Sequence, residues 1–404
     1  MPQGDSVLVE KQSKGVSMSN DANPSTLTAD MLRTMVIHEV EALGFVLTNG
    51  SLQPGSDDKD FRRSLHSAAR QLELEKADQW LTRAWSRYKH MFADGHEVRP
   101  ESVSPRLVLV EKQCQRDIFR LARYTWSLPY TKGYGRRLQY LVLDEALGKL
   151  IGILGLQSPP LSFPARDRVF NYPKGKKTEL VNQTMDVYTL GAVPPYSRLL
   201  GAKLVALAAA SNEIRSHYEM KYSTCTTRLE KRQLPTSLVG LTTTSAYGRS
   251  SIYNRLGYRD IVKFQSLGLT EGYGAFHLER LYPAFREFLE SQSISTRGGF
   301  GSGPRRKWQT MVRALQRLGL RSEFLKHGIK REAFLIPLIK NIQDYMEGTD
   351  FQAYPIDASF QDLSQYWKER WLIPRSVRVD GWHQWEAKDA EDILFSHRVN
   401  SEAK

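Results

Sequence analysis

The sequence predicts a mixed α/β fold, in which helical N-terminal and C-terminal regions flank a central mixed sheet. Three observations predict it. Between residues 106 and 290, short apolar runs alternate with helical patterns, an order typical of a mixed sheet. Before residue 92, apolar residues recur at three- and four-residue spacing, which predicts helices. The 404 residues are 41% hydrophobic and 25% charged, enough for a sizeable core.

The N-terminal part divides into a tail and a helical region. Residues 1–28 are rich in Ser, Asn, Gly and Pro without periodicity, so we predict a disordered tail. Helices are predicted from Thr28 to near Gly44 and from Asp60 to about Met91, because their apolar residues share one face. The helical N-terminal region therefore spans residues 29–105.

Residues 106–290 are predicted to form the α/β core. The predicted strands are residues 107–110, 140–144, 150–156, 185–193, 238–244 and 261–267. The second and third should form a hairpin that turns at Gly148. The predicted helices are residues 116–124, about twenty residues opened by Pro194 and Pro195, and residues 247–256.

The C-terminal part begins after a linker. Residues 291–304 contain a run of Gly and Ser, which is typical of a flexible connection. Residues 305–404 form the C-terminal region, predicted to be basic and helical to about Gly348 and then acidic and rich in Trp. We expect the four late tryptophans to pack this region together or onto a partner. They are Trp367, Trp371, Trp382 and Trp385.

The formal net charge of +13 favours a polyanionic partner, DNA or RNA. Residues 119–177 contain eleven Lys and Arg against three Asp and Glu, and residues 297–340 contain eleven against two. Tyrosines and Trp126 lie among the charges of the first segment, and these aromatics either stack on bases or are buried. The candidate nucleic-acid-binding residues are Arg136, Arg137, Arg166, Arg168, Lys174, Lys176, Lys177, Arg305, Arg306 and Lys307. The alternative is a solvated basic face, with Arg166 and Asp167 a surface pair that contributes little.

Several classes of protein are excluded. Cys114 and Cys225 are the two cysteines, too few for a disulfide framework or a cysteine-based zinc site, and a reducing cytoplasm is the expected location. No metal-binding motif or phosphate-binding loop of a nucleoside triphosphatase occurs. The longest apolar run, residues 204–210, is too short to span a membrane.

One constellation resembles an enzyme family. After the strand predicted at residues 185–193, Arg198, Gly201, Ala202 and Lys203 begin a helix, whose free N–H groups suit a pyrophosphate. Tyr253 follows in a helix that should end at Gly257. The order is similar to the GCN5-related N-acetyltransferase fold, with its R/Q-x-x-G-x-G/A loop after a splayed strand. The resemblance implies that Arg198, Gly201, Ala202 and Lys203 bind acetyl-coenzyme A. It also implies that Tyr253 is the catalytic acid.

Two departures leave the enzymatic activity open. Lys203 stands where the acetyltransferase family has Gly or Ala, and Tyr258 replaces a Phe. The side chain of Lys203 either crowds a pyrophosphate or binds it. No general base is evident, so an inactive acyltransferase-like domain is the favoured alternative. The remaining interpretation is structural, with Arg198 a surface charge, Gly201 a packing point and Tyr253 a core aromatic.

A longer series of motifs is similar to another family. Gly135-Arg136-Arg137-Leu138, residues 150–159, Arg166-Asp167-Arg168 and residues 269–274 occur in this order. The series resembles the DruA family of the bacterial Druantia anti-phage defence system. The resemblance implies a component of a multi-protein system whose operon includes a large helicase-like protein, but it supplies no reaction.

Two functions follow as expectations. The first is a cytoplasmic sensor or adaptor that contacts nucleic acid and acts with other proteins of the defence operon, away from membranes. The alternative is an acyl-coenzyme A-dependent transferase that modifies a base or a protein. Binding of acetyl-coenzyme A would separate them.

Overall fold

The protein is described from a computed structural model that places residues 27–48, 51–130, 132–226, 233, 235–297, 306–320 and 322–402. The predicted N-terminal tail lies outside these described residues except for residues 27 and 28, and residues 298–304 of the linker predicted at 291–304 lie outside them as well. The division of the chain into domains stays a prediction.

The predicted N-terminal helices are present, but the second is divided. The elements are α1 (Ala29–Ala42), β1 (Phe45–Thr48), β2 (Ser51–Pro54), α2 (Lys59–Ser64) and α3 (Ser67–Tyr88). Thr28 caps α1, since its side chain accepts a hydrogen bond from the Met31 N–H at 3.2 Å. The break between α2 and α3 lies at Leu65 and His66, so one continuous helix from residue 60 to residue 91 is wrong.

Seven strands form the main sheet of the described residues. They are β3 (Pro105–Leu109), β4 (Arg137–Asp144), β5 (Lys149–Gln157), β6 (Thr184–Ala192), β7 (Gly240–Thr244), β10 (Gln265–Leu269) and β11 (Glu332–Pro337). A separate pair, β8 (Gly257–Tyr258) and β9 (Val262–Lys263), precedes β10. The spatial order is β3-β4-β5-β6-β7-β11-β10. The mixed α/β class is therefore confirmed.

The helices around and beyond the sheet complete the architecture. They are α4 (Gln113–Tyr124), α5 (Pro164–Asp167), α6 (Lys177–Val181), α7 (Gly201–Ala208), α8 (Asn212–Tyr222), α9 (Tyr282–Ser291), α10 (Arg306–Arg317), α11 (Ile342–Glu347), α12 (Phe360–Trp367), α13 (Ile373–Arg378) and α14 (Ala387–Glu402). The hairpin of β4 and β5 turns at Gly148, whose φ of +65° suits glycine. That predicted hairpin is confirmed.

The pairing of β6 with β7 is parallel, and every other neighbouring pair of strands in the main sheet is antiparallel. The parallel register runs from Thr184 opposite Gly240 to Val187 opposite Thr243 and then stops. Beyond that point β6 continues along β5 alone, to Ala192 opposite Gly152. Because β7 ends at Thr244, residues 188–192 of β6 have a strand neighbour on one side only within the described residues.

Four sequence predictions for this region are wrong. Residues 194–200 form turns, not the first half of a helix, and Leu200 adopts a left-handed conformation at φ 61° just before α7. Residues 247–256 are turns and bends, so Tyr253 does not lie on a helix and Gly257 begins a strand. The strand predicted at residues 261–267 is divided into β9 and β10. Residues 332–337 are a strand inside the sheet, although the chain to Gly348 was predicted to be helical.

Apolar clusters cover both faces of the sheet. One face packs under α7, α8 and α12, through residues such as Leu154, Met185, Leu204 and Trp367. The other carries two clusters: α3, α4 and α14 pack on Leu141 and Ile153, and a smaller cluster lies at Leu335 and Ala165. Polar side chains described below lie between these two clusters.

The late tryptophans pack onto the core, as predicted. Trp367 is fully buried and its Nε1 donates to the Leu200 carbonyl at 3.0 Å. Trp371 and Trp382 pack against the same cluster, and Trp385 packs against the cluster on the opposite face. The C-terminal region is thus part of the protein interior.

His277 and His327 are buried, neutral histidines that lie close together, and His66 is a third neutral histidine near them. His277 Nε2 donates to the Phe324 carbonyl at 2.8 Å, and its ring lies 5.8 Å from that of His327. Burial lowers the pKa of His277 to about 4 and that of His327 to about 3. The charges of the neighbouring His277, Arg331 and His66 lower the pKa of His327 further.

Replacing Trp367 by Ala should lower the free energy of unfolding by about 3–5 kcal/mol, because it removes a fully buried indole and its hydrogen bond. Urea unfolding measures this loss. The matched control is Val377→Ala, since Val377 is 81% exposed on α13 and should change stability by less than about 0.5 kcal/mol. Equal losses in the two variants would contradict the packing described for Trp367.

Stability should fall as the pH falls from about 6.5 toward 4, because the unfolded state binds protons that His277 and His327 do not bind when folded. Each lowered pKa changes the free energy of unfolding by about 1.4 kcal/mol per pH unit in that window. Between pH 7 and pH 5, the free energy of unfolding of His277→Gln should therefore fall by about 2 kcal/mol less than that of the wild type. Urea titrations at both pH values measure the difference. His383→Gln, at an exposed position, should behave as the wild type; an unchanged pH slope in His277→Gln would refute the assignment.

Candidate nucleic-acid interface and polar cleft

The four predicted cofactor-binding residues lie together at the start of α7. Gly201 begins the helix and is buried, and a Cβ there would lie 2.9 Å from the Tyr196 carbonyl oxygen. Ala202 is half-buried beside it. Gly201 is therefore required by local packing, whatever ligand this helix end binds.

The C-terminal segment covers this helix end. Arg198 Nη1 donates to the Gly381 carbonyl at 3.1 Å, and Arg375 Nε donates to the Arg198 carbonyl at 3.3 Å. Lys203 Nζ donates to the Ile252 carbonyl at 3.1 Å. Burial, with the charge of Arg370, lowers the pKa of Lys203. The charged groups of the predicted loop are thus engaged by protein.

Tyr253 lies in the apolar core. Its ring stacks on Phe264 at 5.9 Å and contacts Phe334 at 5.3 Å. Its hydroxyl accepts a long hydrogen bond, 3.4 Å, from Thr243 Oγ1. Burial raises the pKa of Tyr253 to about 12. The structure thus brings the turn of Tyr253 next to Lys203, through the Ile252 carbonyl, but surrounds the phenol with aromatic rings.

The basic residues of the first segment divide into inner and outer positions. Arg166 is fully buried and donates to the carbonyls of Pro160 and Leu161 at 2.9 and 3.2 Å and to Asp167 at 2.6 Å. This pair is buried, so the surface-pair interpretation is wrong. Arg136 is half-buried and bonds the Tyr218 hydroxyl. These two arginines hold the fold.

The outer positions lie on an exposed strip between α5 and α6. Arg168 and Lys174 are exposed, and Lys174 makes no ion pair with any residue that the structure describes. Lys176 is exposed and pairs with Glu179 at 3.3 Å. Lys177 is half-buried and pairs with Asp167 at 2.8 Å. Arg137, on β4, is exposed as well.

The second basic segment is described in part. Arg305 lies outside the described residues, and only the backbone of Arg306 is described, at the start of α10. Lys307 pairs with Glu279 at 3.0 Å, and its Nζ lies 5.4 Å from the centre of the Tyr282 ring. Lys330 and Arg331, before β11, are exposed.

The two basic segments meet at one end of β10. Arg168 Nη2 donates to the Leu269 carbonyl at 3.5 Å. The next residue, Thr270, donates its N–H to the Arg331 carbonyl at 2.8 Å and accepts from the Arg331 N–H at 3.0 Å. A cation from each segment therefore flanks the same two residues of an edge strand.

The aromatic residues of the first segment are mostly structural. Tyr124 stacks on Tyr130 at 5.2 Å, and Tyr140 is fully buried. Arg120 lies 3.9 Å over the Trp80 ring. Tyr134 is 38% exposed. Stacking on bases is therefore not a general property of this segment.

A carboxylate that sequence reasoning missed lies within the parallel pairing of β6 with β7, where Asp186 is opposite Thr242. Asp186 is half-buried between the two apolar clusters of one sheet face. Gln157 Nε2 donates to Asp186 Oδ2 at 2.9 Å, and Thr242 Oγ1 donates to Asp186 Oδ1 at 3.0 Å. Burial raises the pKa of Asp186, against the effect of these hydrogen bonds and of the Arg331 charge.

Arg331 lies on the same sheet face as Asp186. In the register of the sheet, Leu335 of β11 and Asp186 of β6 both lie opposite Thr242 of β7, and the alternation of side chains back from Leu335 places Arg331 on that face. Arg331 and Asp186 form no direct ion pair, and the Arg331 guanidinium makes no hydrogen bond within the described residues. The side chain of Arg331 is exposed, although burial lowers its pKa.

Aromatic and neutral polar groups form the rest of this site. The His66 ring lies 4.6 Å from Phe276 and 6.5 Å from Tyr247. Burial lowers the pKa of His66 to about 4, and the Arg331 charge acts in the same direction. Tyr247 is held by a 2.8 Å hydrogen bond to Ser127 Oγ. We call Asp186, Gln157, Thr242, Arg331, His66 and Tyr247 the polar cleft.

Two buried polar atoms, one on β5 and one on β6, lack partners within the described residues. They are Oε1 of Gln157, a residue 8% exposed, and Oγ1 of Thr189, a residue 6% exposed. Unpaired buried polar atoms cost free energy and call for an explanation. The one sequence signal for this site is a charged residue between Met185 and Val187 in an apolar strand.

A second concavity lies at the other end of the sheet. It has a volume of about 890 Å³ and lies between the edge strand β3 and α12, with Glu145, Glu213 and Lys368 among its lining residues. It contains none of the residues that the sequence singled out.

No group of metal-ligating side chains occurs in the part of the chain that the structure describes. Nor does any helix within the described ranges have the length and apolar character needed to cross a membrane.

These features define a basic mixed α/β protein with an exposed cationic strip and a polar cleft around Asp186 of β6. Comparison with known proteins then gives its family. The family model described as Druantia protein DruA matches residues 56–348. Druantia protein DruA of Escherichia coli (strain UMEA 4076-1) is 34% identical over 369 residues, which cover 90% of this chain and 91% of that protein. No solved structure matches the chain.

The chain therefore belongs to the DruA family and is a component of the Druantia anti-phage defence system. The resemblance seen in residues 135–274 is confirmed.

Arg166→Ala should lower the free energy of unfolding by about 3 kcal/mol or more, because it leaves Asp167 and two carbonyls without their buried partner. Arg168→Ala, two residues away and exposed, should change it by less than about 0.5 kcal/mol. Urea unfolding of both variants measures the contrast. A small effect at Arg166 would show that its burial does not stabilise the fold.

Proposed function

We propose that this DruA family member is the component that contacts nucleic acid, acting as a sensor or adaptor for other proteins of its defence operon, the helicase-like protein among them. The single observation that carries this proposal is the meeting of the two basic segments at the end of β10. Arg168 and Arg331 are distant in sequence, yet the Arg168 guanidinium bonds Leu269, the last residue of β10, and the Arg331 backbone bonds the next residue, Thr270.

The charge around this point favours a phosphate backbone. Lys174 and Lys176 extend the exposed strip from Arg168, and Lys330 lies beside Arg331. Cations concentrated on one surface produce a positive field that evenly mixed charges would cancel. Contacts of this type are made to phosphates and carry little sequence information. Arg137, Lys177, Arg305, Arg306 and Lys307 remain proposed contact residues, whereas Arg136 and Arg166 are left out because protein groups engage them.

The proposed location is the cytoplasm. Cys114 and Cys225 are exposed and unpaired, as suits a reducing compartment. The defence proteins of the same operon are the proposed partners, and the strip would present nucleic acid to them.

Charge reversal of Arg168, Lys174 and Lys176 to Glu should weaken binding to duplex and single-stranded DNA or RNA about equally, by tenfold or more at low salt. It should also reduce the slope of log K against log salt by about 3, since roughly one counterion is released per phosphate contact. Fluorescence anisotropy with labelled oligonucleotides at several salt concentrations measures both effects.

The matched control reverses Arg83, Arg87 and Lys89, three exposed cations outside both basic segments. This variant has the same net charge as the test variant and should keep most of the affinity. Equal losses in both would show a general charge effect. Wild-type protein that binds neither DNA nor RNA at low salt would overturn the proposal.

The second candidate is an acyl-coenzyme A-dependent transferase. The end of the parallel pairing at Val187 and Thr243 favours it, because the acetyltransferase resemblance implies a strand that separates from its neighbour. Two contacts count against it: the C-terminal segment covers Arg198, and Tyr253 is buried in the core. A rise in melting temperature with acetyl-coenzyme A that is lost in Gly201→Asp would support it. Unchanged melting of the wild type would exclude acetyl-coenzyme A as a ligand.

A further inference from the structure

We infer that the polar cleft binds an unstacked guanine base, whose ring N–H and amino group meet Asp186 and whose acceptor edge meets Arg331. The inference rests on the proposed function, since it names which part of a nucleic acid enters the protein beside the basic strip.

The acceptors of the cleft select a ligand with two adjacent donors. Each Asp186 oxygen already accepts one hydrogen bond, from Gln157 or from Thr242, and each has a further lone pair. Beside them, Gln157 Oε1 is buried without a partner within the described residues. Guanine presents an N–H and an amino group side by side on one edge. A carboxylate can accept both at once.

Arg331 supplies the complementary donors. Its side chain is exposed and lies on the sheet face of Asp186 without pairing with it, and its guanidinium makes no hydrogen bond within the described residues. Arginine pairs through two hydrogen bonds with the O6 and N7 acceptors of guanine. One base of this type would therefore satisfy both the carboxylate and the cation.

The walls of the cleft suit a planar ligand. The ring centres of His66 and Tyr247 lie 6.5 Å apart, and the ring of Phe276 lies 4.6 Å from that of His66. His66 is neutral because burial lowers its pKa to about 4. Stacking on such rings is available to every base, so the hydrogen bonds must supply the selectivity.

The position of the cleft connects it to the phosphate contacts. Arg331 belongs both to the cleft and to the end of β10 where the two basic segments meet. A strand bound along Arg168 and Lys174 would thus pass the mouth of the cleft. A nucleotide turned out of that strand can enter it, and a free guanine nucleotide has the same recognition chemistry.

The test uses the full chain and two labelled octanucleotides, one of thymidine alone and one with a single central guanine. Wild-type protein should bind the guanine strand about tenfold more tightly. Asp186→Asn, which keeps the shape and loses an acceptor, should bind both strands equally and retain the affinity for thymidine. Lys174→Glu, outside the cleft, should weaken both strands and retain the preference for guanine.

A second arm titrates the wild type with the monophosphates of guanosine, adenosine, cytidine and uridine by calorimetry. Binding of the guanosine nucleotide alone, lost in Asp186→Asn, would establish a free nucleotide as a ligand of the polar cleft. If no strand bound in that case, the proposed function would be overturned and the inference would stand. Arg331→Gln, at an exposed position, gives an independent variant if Asp186→Asn fails to fold, as judged by circular dichroism. Equal binding of the two strands in the first arm and of the four nucleotides in the second would overturn the inference.

Discussion

The parallel pairing of β6 with β7 is the constraint on which the described structure depends. It lasts from Thr184 to Val187 and then ends, although β6 runs on to Ala192. On one face, α7 and the C-terminal segment pack beneath the two strands. On the other, the apolar clusters of the described residues do not include Asp186, Gln157 and Thr242, and these polar side chains bond one another.

Burial and charge act together at that position. Asp186 accepts hydrogen bonds from the neutral donors Gln157 and Thr242 and forms no ion pair within the described residues, so its carboxylate is stabilised less than a direct ion pair would stabilise it. Unpaired buried polar atoms near the strands add to the cost. This cost at the centre of the sheet supports the inferred polar ligand, in contrast to Arg166, whose guanidinium bonds Asp167 and two backbone carbonyls.

The sequence predicted the local elements well and the long-range relations poorly. The hairpin at Gly148 and the strands at residues 184–192 and 240–244 follow from alternation and turn residues. Residues 332–337 were missed because the apolar run that follows Glu332 fits a helix as well as a strand. Lys203 was placed correctly in the first turn of a helix, whereas Arg198 lies in the turn that precedes it. Nothing local showed that residues 371–381 would cover them, or that Arg331 would lie on the sheet face of Asp186.

The C-terminal segment has a consequence for how this family is dissected. The matched family region ends at residue 348, yet Phe360, Leu363 and Trp367 are buried in the main apolar cluster. Arg398 and His397 on α14 both bond Asp78 on α3, which ties the last helix to one of the first. A chain shortened to the matched region would leave one sheet face uncovered. Loss of phage resistance in such a deletion would then measure misfolding, and point substitutions are the sounder way to locate the surface that meets a partner.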